Sequence, residues 1–209
     1  MREKYVVVTG DITGFTAITA NKRAKLITST DKLISSWVEQ AGRAKIFRGD
    51  SFQMLFQDIT EACLRCIQLR CWLKQYPNSK KGLDARMAVG FGEISYKGKS
   101  VLVSDGEAFH LSGRAFDDMQ DDEFLRMVTP DGKKNEQLKI ILRLMDILIS
   151  GWTPGQAEVI YLLIENKTQQ QIAGELNVTQ SAVNNRIKLT KWKDIEKTIH
   201  YIASVIEQP

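Results

Sequence analysis

The hydrophobic pattern of this chain changes character once, and that change limits its possible folds more than any other feature. Up to about Met127 short β-branched or aromatic runs alternate with helical stretches, whereas beyond Val128 almost every apolar repeat has helical spacing. Strand-like runs fall at Tyr5 to Thr9, Lys45 to Arg48, Phe52 to Phe56 and Ala85 to Phe91. Between them, apolar positions at helical spacing predict one helix from about Thr19 to Gln40. A second runs from an Asp58 N-cap to Tyr76, with Pro77 and the residues after it as its stop. The order strand, helix, strand, strand, helix, strand is that of the split βαβ, or ferredoxin-like, sheet with both helices on one face. The expected fold class is therefore α+β: a ferredoxin-like domain over residues 1–128, a turn-rich linker over 129–136, and an all-α domain over 137–209.

Composition removes several classes of function. The 209 residues carry 29 Lys plus Arg against 25 Asp plus Glu, a net charge of +4, too small a surplus to announce a nucleic-acid binder by itself. No apolar run approaches a membrane span and no signal-peptide stretch follows Met1, so a cytoplasmic protein without membrane insertion is expected. Cys63, Cys66 and Cys71 lie in one helical stretch with no nearby histidine or fourth cysteine, and read as buried, reduced core thiols.

The all-α domain contains the more specific signal. Thr153 followed by Pro154 opens a helix through Ile164, Thr168 caps Gln169 to Leu176, and Asn177 suits a left-handed turn. Thr179 then caps Gln180 to about Leu189. With Ile172, Leu176, Val178, Val183 and Ile187 inward and small Ala173 allowing close approach, this is the spacing of a helix-turn-helix. Its outward positions, Gln180, Ser181, Asn184, Asn185, Arg186 and Lys188, carry amide, hydroxyl and cationic groups that bond base edges and phosphates. Thr179 to Lys193 holds four basic residues and no acid. Double-stranded DNA is the expected partner and, since such readers usually bind as dimers, a homodimer the expected state. A last amphipathic helix through Ile195, Ile199, Ile202 and Ile206 either completes the bundle or forms a dimer seam.

In the sheet domain, a pair of carboxylates stands out: Asp11 just past the first strand and Asp50 in the hairpin between the second and third. A split βαβ sheet sets those two places side by side, and converging carboxylates can hold Mg or Mn for a triphosphate. The backbone N–H groups of Thr13, Gly14, Phe15 and Thr16, read as opening a helix, would then cradle phosphates. Either acid alone also reads simply as a cap or a turn former. The acidic run Asp117, Asp118, Asp121, Asp122 and Glu123 reads as a solvated helix end. Gly90 and Gly92 read as close-packing positions in a strand.

Several stretches carry resemblances. Asp11 to Thr16 and Arg48 to Phe56 resemble the two metal-binding motifs of class III nucleotide cyclases. Val89 to Glu93 and Gly106 to Arg114 resemble that family's following strand and last helix. The resemblance implies a metal-dependent nucleotide site shared across a homodimer, with Arg114 at the transition-state arginine. His110 replaces the ribose-orienting asparagine, and Ile46 and Val103 occupy the purine-selecting positions. The same segments, above all Ser104 to His110, resemble the SatD family more closely, which implies a cyclase-like domain followed by a helix-turn-helix. Trp152 to Val159 and Thr168 to Leu176 resemble the helix-turn-helix of LuxR-type and sigma-factor region 4 proteins.

Two functions follow as expectations: a DNA-binding transcriptional regulator whose cyclase-like domain senses a nucleotide or metal, or a nucleotide cyclase or related nucleotidyl-transfer enzyme with Arg114 and His110 stabilising charge.

Overall fold

Alternation along the first strand divides the molecule into two layers. In the computed structural model, which describes residues 3–76 and 82–208, β1 (Lys4–Thr13) turns Val6 and Val8 to one side of the sheet and Tyr5 and Val7 to the other. It is flanked by β3 (Ser51–Phe56) and β4 (Asp84–Glu93), both antiparallel to it. β2 (Ala44–Phe47) closes one edge and β5 (Leu125–Val128) the other, in the order β2-β3-β1-β4-β5. β5 runs parallel to β4 and adds to the expected four strands: four residues without turn formers of their own give little periodicity to read.

On the first face lie α1 (Ala20–Ser36) and α2 (Ile59–Lys74). α1 ends four residues short of the expected Gln40. α2 begins where expected, with the Asp58 side chain accepting the Glu61 N–H; its expected stop lies in residues 77–81, outside the described residues. α3 (Glu107–Asp117) covers the second face, packing Ala108 and Phe109 on Tyr5, Val7 and Leu55. It sits directly on Gly90, where a Cβ would stand 2.3 Å from the Ala108 carbonyl oxygen, so the glycine is there for close approach.

The rest is helical: α4 (Gly132–Ser150), α5 (Pro154–Ile164), α6 (Gln169–Glu175), α7 (Gln180–Thr190) and α8 (Trp192–Glu207). More than half of the expected linker is helix, because Asp131 accepts the N–H groups of Lys133 and Lys134 and starts α4 five residues ahead of the expected all-α domain. Thr153 and Gln156, then Thr168 and Gln171, form reciprocal capping boxes, and Thr179 caps α7. Ile195, Ile199, Ile202 and Ile206 of α8 are all buried in the core.

A single cluster of buried side chains runs from the sheet through α2 into α4, α5, α7 and α8. α2 is buried on nearly all sides, which is why its sequence shows apolar residues and cysteines around the whole helix and not one stripe. Fully buried Arg70 of α2 pairs with Asp84 of β4 at 2.8 Å and Asp146 of α4 at 2.6 Å, and bonds the Ser150 hydroxyl. The second oxygen of Asp146 accepts the N–H groups of Phe124 and Leu125, so one carboxylate of α4 holds the start of β5. Burial pushes the Asp84 carboxyl up, but Arg70 and then Lys74 outweigh it and hold it below the usual carboxylate range.

Candidate functional site

The sheet carboxylates come first. β1 extends two residues past Asp11 because β4 pairs with it as far as Thr13, so Asp11 lies inside the strand and not beyond it, opposite Ser51 and Arg86. Arg86 reaches back across the pair with Nε at 3.2 Å and Nη2 at 2.9 Å from the two Asp11 oxygens, a bidentate clamp. Its guanidinium lies 5.6 Å from the Phe116 ring, with Asp121 3.9 Å away. Asp50 is close enough for the Asp11 charge to be felt. Burial pushes the Asp50 carboxyl up, its own backbone N–H pulls the other way, and Asp11 adds to the rise.

The two carboxylates are thus brought near one another, but a cation already sits on one of them. Mg or Mn would have to displace Arg86, and the described residues contain no cluster of three or more His, Cys, Asp or Glu able to ligate a metal. A two-carboxylate centre here requires Arg86 to give up Asp11. Arg86 is the residue that sequence reasoning misses; the available signal is a charged side chain inside an otherwise apolar strand run, on the face that carries α3.

Thr13, Gly14, Phe15 and Thr16 do not open α1. Gly14 takes φ 77°, Phe15–Ala17 make one 3-10 turn, and the helix starts only at Ala20, behind Thr19. The turn presents carbonyl oxygens: Arg23 donates to those of Thr16 and Ile18 at 2.8 Å, its guanidinium 5.7 Å from the Phe15 ring. A left-handed glycine between strand and helix is what separates this loop from the helix end expected there.

His110 and Arg114 sit four residues apart on α3 and line an open groove with Glu93, Ser95 and Glu107. His110 Nε2 lies 3.1 Å from Asp105 Oδ1, both side chains more than half exposed. The groove is at the Glu93 end of β4, seven residues from Arg86, which at ~3.3 Å per residue is roughly 23 Å of strand. α3 then runs back along the sheet, from Gly106 beside Glu93 to Phe116 beside Arg86, so His110 and Arg114 lie between the two ends. Asp117, Asp118, Asp121 and Asp122 of the acidic run are exposed, as a solvated helix end would be, with Asp122 paired to Arg143, while Glu123 is half-buried against Arg126.

α7 is differently placed. Asn177, at φ 51°, turns the chain between α6 and α7, and Val183, Ile187 and Thr190 bury one side of α7 against the helical core. At 100° per residue, Ser181, Asn185 and Lys188 point away from that buried side, with Asn184 on its flank and Gln180 at the first turn. Four of the five are exposed and Asn184 is half-buried; among the described residues, no hydrogen bond or ion pair with another residue engages any of their side chains. Arg186 is the exception among the six expected contacts. It lies on the flank and donates to the Gly155 carbonyl of α5 at 3.3 Å. Trp152 Nε1 bonds the Thr190 carbonyl at 3.2 Å and its ring packs edge-on against Trp192, so the end of α7 is braced from behind.

Comparison with known proteins returns no matching family model and no matching curated protein. The chemistry of the two sites has to be read from their own residues.

Proposed function

We propose that this protein is a sequence-specific DNA-binding regulator, in which α6 and α7 form a helix-turn-helix and α7 enters the major groove. The observation that carries this reading is the outer face of α7: amide, hydroxyl and ammonium groups on one side, unengaged by the rest of the described chain, within a stretch from Thr179 to Lys193 that has no acid. Asn185 and Gln180 have the donor–acceptor pair that bonds adenine bidentately, and Lys188 the charge for a phosphate. Arg186, bound to α5, serves the framework and not the reading face. The sheet order and the two helices on its first face support a ferredoxin-like arrangement for the N-terminal domain, in keeping with the SatD and cyclase resemblances.

A nucleotide-dependent enzyme is the second reading, supported by the place of Asp50 beside the Asp11 strand, where the Asp50 carbonyl accepts the Ile12 N–H at 3.1 Å. It requires Arg86 to leave Asp11 when ligand arrives, and with the carboxylate clamped the regulator is the better-supported function.

Selection of duplexes from a random pool by the full-length protein, followed by fluorescence anisotropy at several salt concentrations, tests the proposal. Expected is a selected site bound ~10³-fold or more above random duplex, with affinity falling steeply as salt rises. Equal affinity for every duplex overturns sequence-specific reading. A stability shift with nucleoside triphosphate and Mn that is lost in Asp11→Asn favours the enzyme.

A further inference from the structure

α4 carries two apolar stripes. The inner one, Leu138, Leu142, Met145 and Ile149, is in the core. The outer one repeats at i, i+4, i+7 and i+8: Ile140 is 66% exposed, Leu144 60%, Ile147 60% and Leu148 43%, with Tyr201 of α8 at 56% beside them. A helix apolar on opposite sides belongs in an interior, and this chain supplies an interior for one side only.

We propose that the outer face of α4, with the adjoining edge of α8, is the interface of a two-fold homodimer of this chain. The surface is shaped to receive its own copy. Leu144 lies on a ridge between two hollows, one of about 480 Å³ against Ile195 and Tyr201 of α8 and one of about 360 Å³ against the Gln120 to Glu123 loop. Ridge and hollows on one face are what a self-complementary, isologous contact needs, since each ridge fills a hollow of the other copy.

Area and charge agree with that occupant. The five side chains show a contiguous apolar patch on the order of 500 Å², near the top of the range for a monomer. Counted on both copies, it supplies about 1,000 Å² of interface before any rim is added. The rim carries Lys139, Arg143 and Lys197 against Asp122, Glu123 and Asp194, three charges of each sign. A balanced rim lets two identical copies meet without repulsion, whereas an anionic lipid surface calls for a basic one. The interface uses no residue of α7's outer face and stands independently of the DNA reading.

Sedimentation velocity of the full-length protein at tens of micromolar, without DNA, decides it. The wild type is expected at about 47 kDa, twice the 23.7 kDa chain. Leu144→Arg, at an exposed position, is expected at the monomer mass with an unchanged far-UV circular dichroism spectrum and a dimer Kd raised at least 100-fold. A wild type that stays monomeric, or a Leu144→Arg protein that stays dimeric, overturns the proposal. Should Leu144→Arg aggregate, Leu144→Cys gives the same answer by a short bifunctional maleimide. Burial keeps Cys63, Cys66 and Cys71 away from reagent and pushes their thiols up, so the new thiol is the reactive one. A covalent dimer is expected, and cross-linking no greater than in wild type overturns the interface.

Discussion

The end of the sheet that carries Asp11 and the outer face of α7 are both rich in polar side chains, held in opposite circumstances. At the sheet, Asp11 is taken by Arg86, Arg23 by the carbonyls of Thr16 and Ile18, and the acids after α3 by Arg126 and Arg143. On α7 the side chains of Gln180, Ser181, Asn185 and Lys188 are exposed and unpaired among the described residues, Asn184 is half-buried, and the Arg186 guanidinium is held by α5. Polar residues that satisfy one another hold a fold together, and polar residues left over are available to something else. That difference separates the framework from the face proposed to read DNA.

The comparison can be broken most forcefully inside the framework. Arg70→Ala leaves two buried carboxylates without their cation, and breaking a buried pair in this way costs about 3–5 kcal/mol, read from urea unfolding. A loss below ~1 kcal/mol would show that the network is not what joins α2, β4 and α4. The same network sets an acid limit. With its folded pKa below the unfolded value, Asp84 contributes stability that is fully present above ~3.9 and is lost as pH falls through the lowered folded value. Asp84→Asn should therefore flatten the acid side of a stability–pH curve, and a curve of unchanged slope would contradict the pairing.

Smaller effects sharpen the contrast between the two regions. Asn185→Ala is expected to cost ~1–3 kcal/mol of discrimination at one base position while leaving stability within ~0.5 kcal/mol. Asp11→Asn should do the reverse, lowering stability by ~1–2 kcal/mol through the weakened Arg86 bond without touching DNA affinity. If Asp11→Asn instead altered binding by tenfold, the two regions would be coupled and not merely different. Smallest is Lys188→Ala, expected to weaken all duplexes alike and reduce the salt slope by ~1, measured by anisotropy against salt.

What can be read in advance follows the range of the interactions. The caps at Thr153, Thr168 and Thr179, the left-handed Asn177 and the buried isoleucines of α8 are set by residues within a turn or two, and their sequence spacing states them directly. The Asp11–Arg86 clamp joins residues 75 apart and Arg70–Asp146 residues 76 apart, distances at which no local pattern signals a partner. β5 illustrates the same limit: Leu125–Val128 is a strand because β4 and the Asp146 carboxylate lie beside it. The Thr13–Thr16 loop departs from expectation through a single feature, the left-handed Gly14 that ends one element before the next begins.

The all-round burial of α2 has a consequence for how the protein is made. Translation delivers the sheet and α2 before α5 and α8 exist, and at ~5–20 residues per second the wait is on the order of ten seconds. Throughout that interval one flank of α2, with its leucines and cysteines, has only water or a chaperone to cover it. A nascent chain stalled near residue 130 should therefore be held by a ribosome-associated chaperone, and release should coincide with arrival of the last helix.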